Sequence, residues 1–124
     1  MGHFASAGAV ATEAIGPGPR AKKEGLRFTP DYAYQQKEIE RVYLQSSGRI
    51  TYLGDWHSHP GLPPYPSSLD LRTAKKIANT PGSRAPNPIM LIVGYDANRR
   101  LWIEAYSYLQ NRLRPCRMCV FEQE

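Results

Sequence analysis

The chain has 124 residues, a length that suits one domain with a modest core. Hydrophobic residues make up 41% and charged residues 22%, as in globular proteins, and no run of about 18 apolar residues is long enough to span a membrane. The net charge of +5 is compatible with nucleic acid, but the basic residues are dispersed and form no recognition motif, so we expect a solvated mixed surface and no nucleic-acid partner.

The N-terminal residues and the two cysteines near the C-terminus indicate in which cellular compartment the protein is expected. The N-terminus, Met1-Gly2-His3-Phe4, lacks the basic start and long apolar stretch of a signal peptide, so we expect a cytoplasmic protein with no membrane partner. Cys116 and Cys119 fit that compartment. Their C-x-x-C spacing is compatible with a redox pair or half of a metal site, but no second pair follows, and two ordinary cysteines are the favoured interpretation.

The first half of the chain predicts one strand and one helix. A weakly amphipathic run over residues 9–15 predicts a strand, which the Gly-Pro-Gly-Pro segment 16–19 ends. Residues 20–27 are polar and basic and predict a loop or an irregular edge. Thr29-Pro30-Asp31 then predicts a helix start with Thr29 as the cap, and the helix is expected to run to about Ser46.

The second half predicts a strand over residues 49–59, a proline-rich loop over 61–66, and a helix that starts at the cap Ser67 and ends near residue 79. A continuous apolar run over 88–95 predicts a central strand, and strands over 101–108 and within 113–121 follow it. Trp56 is expected to be a core side chain. The order strand, helix, strand, helix, strand, strand predicts an α/β sandwich with a mixed sheet.

The pattern His57-Ser58-His59-Pro60, six residues, then Ser67-x-x-Asp70 indicates a metal site. Side chains at i and i+2 of a strand share one face, and Asp70 follows at a helix start. Three protein ligands leave the fourth position of zinc open, as in catalytic sites. The alternatives are exposed polar histidines and a plain capping pair at Ser67 and Asp70. Asp70 can be a metal ligand and a capping residue at the same time, with one carboxylate oxygen on the metal and the other in a hydrogen bond.

The same residues resemble the JAMM motif of the MPN-plus metallopeptidases, which include the zinc deubiquitinases of the proteasome lid and the signalosome. Residues 16–19, 34–36 and 53–61 resemble a small bacterial branch found in integrative-element and CBASS-type anti-phage operons, beside an E1/E2-like conjugating enzyme and a cyclic-nucleotide synthase. The resemblance covers nearly the whole chain. It implies a single domain over residues 1–124 with a JAMM/MPN-like (cytidine-deaminase-like) fold, in which helices flank a mixed sheet.

The resemblance also implies site roles and an activity. His57, His59 and Asp70 would be the Zn²⁺ ligands, and Ser67 would stabilise the oxyanion of a tetrahedral intermediate. The implied function is a zinc-dependent isopeptidase or peptidase that removes a ubiquitin-like or other conjugated protein from its target. An E1/E2-like enzyme of the same operon is the implied partner. The alternative is a catalytically inactive MPN-type scaffold or fragment that keeps the metal site.

The general base is where this sequence departs from the family pattern. The family places a glutamate in a segment like Glu-x-Gly-Gly-x-Leu-Leu-Gly, and Met1-Gly2-His3 resembles the end of that segment. We therefore expect an N-terminally truncated domain, with the glutamate, the first helix and the first strand upstream of residue 1. Glu13 is the nearest substitute, although it fits the strand that follows. The other acidic candidates, with no reason to face the metal, are Glu24, Glu38 and Glu40.

Overall fold

A computed structural model describes residues 1–6, 8–25 and 27–122 and divides the chain into two compact units, Met1–Leu53 and Gly54–Glu124. The first unit contains the strands β1 (Gly2–Ala5), β2 (Gly8–Ala11), β3 (Lys22–Glu24) and β4 (Arg27–Thr29) and the helix α1 (Tyr32–Gln45). The second contains β5 (Gly54–Ser58), α2 (Ser68–Ala78), a 3₁₀ turn (Pro81–Ser83), β6 (Ile89–Tyr95), β7 (Leu101–Leu109) and β8 (Arg112–Cys116).

The first unit contains two antiparallel hairpins. β1 pairs with β2, and β3 pairs with β4. The predicted strand over residues 9–15 is shorter than expected, because β2 ends at Ala11. The second hairpin was not predicted, since residues 20–27 were expected to form a loop or an irregular edge and β3 lies within them. Its two strands have three residues each, too few to show the alternation of apolar and polar residues that reveals a strand.

Helix α1 begins two residues later than the sequence suggests. Its N-cap is Asp31, whose carboxylate accepts a hydrogen bond of 3.1 Å from the backbone N–H of Tyr34. The prediction of Thr29 as the cap is wrong, because Thr29 is the last residue of β4 and pairs there with Lys22. Asp31 fills the cap position equally well, since its short carboxylate reaches the same free N–H groups. The helix ends at Gln45, next to the predicted end.

The second unit is built on a four-stranded mixed sheet in the order β5-β6-β7-β8. β5 runs parallel to β6, and the remaining neighbours are antiparallel. Helix α2 packs on one face through Ala74, and this face contributes the buried side chains Met90, Ile92, Tyr106 and Tyr108. The predicted α/β class with a mixed sheet is confirmed, and the apolar run over 88–95 is indeed a central strand, β6.

Two details differ from the predictions, at β5 and at Trp56. β5 begins at Gly54 rather than at residue 49, whereas the short strand expected within 113–121 is present as β8, which begins one residue earlier and covers residues 112–116. Trp56 is 45% exposed, so the expectation of a core tryptophan is wrong.

In the part of the chain that the structure describes, no helix has both the length and the apolar character needed to cross a bilayer.

Candidate metal centre

The two histidines lie at the end of β5 and share one face of the sheet. His57 is in register with Ile92, a fully buried residue of the face that α2 covers. His59 lies just beyond the strand, but its N–H donates to the carbonyl of Val93 at 2.8 Å and so extends the parallel ladder. Because side chains alternate along extended backbone, the imidazole of His59 returns to the face of His57.

The third residue, Asp70, is fixed by the start of α2. Ser67 is the N-cap, as predicted, and its hydroxyl oxygen accepts a hydrogen bond of 3.2 Å from the N–H of Asp70. In return, the backbone N–H of Ser67 donates to Oδ2 of Asp70 at 2.7 Å. This reciprocal capping box orients the carboxylate of Asp70, which is 6% exposed, toward the two imidazoles.

Three electron-pair donors converge at this point. Nε2 of His57 lies 3.1 Å from Nε2 of His59 and 2.9 Å from Oδ1 of Asp70, and Nε2 of His59 lies 3.4 Å from Oδ2 of Asp70. Tetrahedral zinc with bonds of ~2.0–2.1 Å would separate its ligand atoms by roughly 3.3–3.5 Å. The donor set has the atom types that a small divalent ion needs. One of the three separations lies in this range and the other two are a few tenths of an ångström shorter, so these three residues can hold a metal after a small adjustment.

The protonation state of His57 also suits a metal ligand. Burial lowers the pKa of this imidazole, against the opposing effect of the nearby Asp70 carboxylate. A neutral imidazole keeps the lone pair that a metal needs, whereas the imidazolium form has none. Two nitrogen donors and one carboxylate leave one position of a four-coordinate ion for water or substrate.

The proline-rich loop between β5 and α2 is fastened to the same face of the sheet. The hydroxyl of Tyr106 donates to the carbonyl of Pro64 at 2.9 Å, and the N–H of Tyr95 donates to the carbonyl of Leu62 at 3.1 Å. Gly94 allows the loop to lie this close, because a Cβ there would stand 2.3 Å from the carbonyl oxygen of Leu62 and 2.7 Å from the nitrogen of Pro64.

An open depression of about 490 Å³ lies beside His59. It is lined by Ser58, His59, Pro60, Leu62, Pro63, Tyr65 and Ser67. One metal-ligand candidate and the predicted oxyanion residue thus share a cavity that is open to solvent. A substrate that enters the depression would reach both His59 and Ser67.

The residues predicted for the site therefore come together within one unit: His57, His59, Ser67 and Asp70. Glu13 belongs to the first unit, where its charge acts on Arg41 and on the amino group of Met1. The sequence reasoning missed Tyr106 and Gly94, which hold the loop. A glycine inside an apolar strand often marks a close backbone approach, so Gly94 could have been found from the sequence.

Comparison with known proteins agrees with the predicted resemblance. Residues 6–104 match the family model described as prokaryotic homologs of the JAB domain. The chain is 41% identical over 96 residues to a probable metalloprotease, y4qB, of Sinorhizobium fredii, a match that covers 75% of this chain and 58% of the relative.

Two further relatives are named CD-NTase/cGAS isopeptidase. The one from Escherichia coli is 38% identical over 71 residues, which are 56% of this chain and 40% of that protein. The one from Vibrio cholerae is 32% identical over 54 residues, which are 44% of this chain and 35% of that protein. The matches thus span between about a third and three-fifths of the length of these curated relatives.

Proposed function

This chain belongs to the family of prokaryotic JAB-domain proteins, and from that premise we propose that it is a zinc-dependent isopeptidase. The observation that carries the proposal is the convergence of His57, His59 and Asp70, whose donor atoms lie 2.9 to 3.4 Å apart. Two imidazoles and one carboxylate with an open fourth position are the ligand set of hydrolytic zinc sites. The family supports peptidase chemistry, and the donor set supports zinc as the ion.

The proposed substrate is a ubiquitin-like or otherwise conjugated protein, released from the group to which its C-terminus is joined. The support is that two of the relatives are named isopeptidases of CD-NTase/cGAS. The proposal extends to a cytoplasmic role in antiviral defence, with an E1/E2-like conjugating enzyme as the partner that makes the substrate.

In the proposed mechanism, bound zinc supplies a water of lowered pKa and a Lewis acid for the scissile carbonyl. The residues of this chain hold and orient the reacting groups. His57 and His59 present their Nε2 atoms from the rigid end of a strand that is paired to a buried neighbour. The carboxylate of Asp70 is oriented by the capping box, so little rearrangement is needed to hold the ion.

Ser67 is proposed to stabilise the oxyanion. Its Oγ accepts a hydrogen bond from the N–H of Asp70. The hydroxyl proton therefore stays available to donate to a substrate oxygen. The same residue lines the depression beside His59, where the substrate carbonyl would lie. A donor of this kind contributes ~10²–10³-fold to the rate when it is aimed at the developing negative charge.

The test is cleavage of a conjugate under single-turnover conditions. The zinc-loaded chain, in excess, is mixed with a ubiquitin-like protein joined by an isopeptide bond to a lysine, and the released proteins are followed by mass spectrometry. We expect release by the wild type and none by the His57→Ala/His59→Ala variant or after chelation.

A control variant and the zinc content of the chain together distinguish the proposed enzyme from a scaffold. Asn98→Ala changes an exposed residue of the β6–β7 turn and should leave the release unchanged. A chain that binds zinc at full occupancy and releases nothing over the whole time course would overturn the peptidase proposal in favour of a metal-binding MPN-type scaffold.

A further inference from the structure

Tyr65 combines solvent exposure with a fixed position beside the candidate metal centre. Its side chain is 59% exposed, although the residue before it, Pro64, is fully buried. It lines the depression that also contains His59 and Ser67. An exposed large aromatic side chain that is held in place is the kind of group that proteins use for recognition.

The backbone that carries Tyr65 is rigid. The bond from Tyr106 to the Pro64 carbonyl is buried, and the close approach over Gly94 fixes the preceding residues. The N–H of Tyr65 itself donates to the carbonyl of Pro63 at 2.9 Å. Four prolines between residues 60 and 66 further restrict the loop. The loop therefore presents Tyr65 in one place before any substrate arrives.

The ring of Tyr65 is also held by its neighbours. It packs edge-on against Trp102, with the ring centroids 5.6 Å apart and the planes at 81°. The indole N–H of Trp102 donates to a carboxylate oxygen of Glu104 at 2.7 Å, so the indole has a defined orientation. Edge-to-face pairs of this kind are favourable, so the contact with Trp102 holds the ring of Tyr65 in place.

The lining of the depression indicates what it can accept. Among the described residues around it there is no Asp, Glu, Lys or Arg. Leu62, Pro63 and Tyr65 contribute apolar surface, while the polar groups of His59 and Ser67 lie on the side of the candidate ligands. An apolar substrate side chain would be removed from water against this surface, whereas a charged one would find no oppositely charged residue in the lining.

We propose that Tyr65 is a specificity-determining residue, whose ring contacts an uncharged apolar side chain of the substrate next to the scissile bond. The proposal rests on the proposed function, because it takes the contents of the depression to be substrate. It assigns to Trp102 and Glu104 the role of positioning residues, which act through the Tyr65 ring.

The experiment measures binding by NMR and needs no turnover. The probes are blocked pentapeptides with a central leucine, aspartate or lysine between glycines, added to the zinc-loaded full chain labelled with ¹⁵N. The chain has two tryptophans. The indole signal of Trp102 reports on Tyr65, and that of Trp56, which alternates with His57 and so points to the opposite face of the sheet, is the internal control.

We expect the leucine peptide to shift the Trp102 signal and not the Trp56 signal, and to bind about tenfold more tightly than the charged peptides. Tyr65→Ala should weaken binding of the leucine peptide about tenfold and remove the preference for it over the charged peptides. Tyr65→Phe should keep the affinity and the preference of the wild type. Tyr95→Ala is the matched control: Tyr95 is 43% exposed and alternates with Gly94, so its ring points away from the loop. It should bind like the wild type.

The inference is overturned if no peptide shifts the Trp102 signal, if all three bind equally, or if Tyr65→Ala binds like Tyr95→Ala. The zinc content of each variant is measured alongside to confirm that the site is intact. The outcome is separate from that of the proposed function, because a chain that binds the leucine peptide and never cleaves a conjugate keeps the specificity site and loses the isopeptidase activity.

Discussion

The backbone N–H of Ser67 donates a 2.7 Å hydrogen bond to Oδ2 of Asp70, whose Oδ1 lies 2.9 Å from His57. The hydroxyl of Ser67 makes a separate contact, with the N–H of Asp70. The orientation of the carboxylate therefore depends on the main chain at residue 67, while the side chain at this position caps the helix. A change of side chain at Ser67 should consequently separate metal binding from catalysis.

Ser67→Ala is predicted to keep the metal and to lower the rate of conjugate cleavage by ~10²–10³-fold. The alanine retains the backbone N–H that holds Asp70 but has no hydroxyl for the substrate oxygen. Loss of the cap should also cost ~1 kcal/mol of unfolding free energy. Ser68→Ala, at the exposed neighbouring position, is the control. Loss of zinc from Ser67→Ala, measured by elemental analysis, would show that the assignment of roles is wrong.

Gly94→Ala is predicted to displace the proline-rich loop. The new Cβ would stand 2.3 Å from a backbone oxygen of Leu62, so the loop must move, since this atom cannot rotate away. We expect a loss of ~1–3 kcal/mol in the free energy of unfolding, measured by denaturant titration. Gly82→Ala meets no atom within 4 Å and should be close to neutral. Equal stability of the two variants would contradict the close approach at Gly94.

Tyr106→Phe is predicted to loosen the loop without moving the candidate metal ligands. The variant leaves the buried carbonyl of Pro64 without its 2.9 Å donor, at a cost of ~1–3 kcal/mol in unfolding free energy. Burial raises the pKa of Tyr106, so the donor stays protonated throughout the neutral range. Amide hydrogen exchange should rise at Leu62 and Tyr65.

Tyr108→Phe is the control for this change. It also removes a tyrosine hydroxyl, which here bonds Asn111 at 3.0 Å at the turn before β8. Its exchange at Leu62 and Tyr65 should match the wild type. If the two variants raise exchange in the loop by the same amount, the bond from Tyr106 to Pro64 does not hold the loop.

Glu13→Gln is predicted to leave zinc content and any cleavage activity unchanged. The charge of Glu13 acts on Arg41 and on the amino group of Met1, and its backbone carbonyl accepts a hydrogen bond of 2.9 Å from that amino group. A general base, by contrast, contributes ~10²–10⁴-fold and must lie within hydrogen-bond reach of the attacking water. Loss of cleavage by Glu13→Gln with full zinc content and an unchanged melting temperature would identify Glu13 as the base.

The site was predictable because its signals are local. Two histidines at i and i+2 share a strand face whatever the sheet around them, and Ser67-x-x-Asp70 is a helix-start pattern that needs no tertiary information. The start of α2 therefore came out correctly. The start of α1 did not, since Thr29 and Asp31 are both competent caps and the choice was made by the pairing of Thr29 with Lys22 in a hairpin.

The tertiary contacts around the site could not be predicted in the same way. The bond from Tyr106 to Pro64 joins residues 42 positions apart, and the packing of Tyr65 on Trp102 depends on how β7 lies against β6. The exposure of Trp56 is likewise a property of the assembled sheet. Such contacts depend on the register between distant strands, which no local pattern records.

Binding of one zinc ion by His57, His59 and Asp70 underlies every other proposal made for this chain, and it can be measured as zinc content. The tag-free wild type and the His57→Ala/His59→Ala variant are purified in parallel, and zinc per chain is measured by elemental analysis, with circular dichroism to confirm that both are folded. We expect about one zinc per wild-type chain and essentially none in the folded variant. Equal zinc in the two proteins would contradict it.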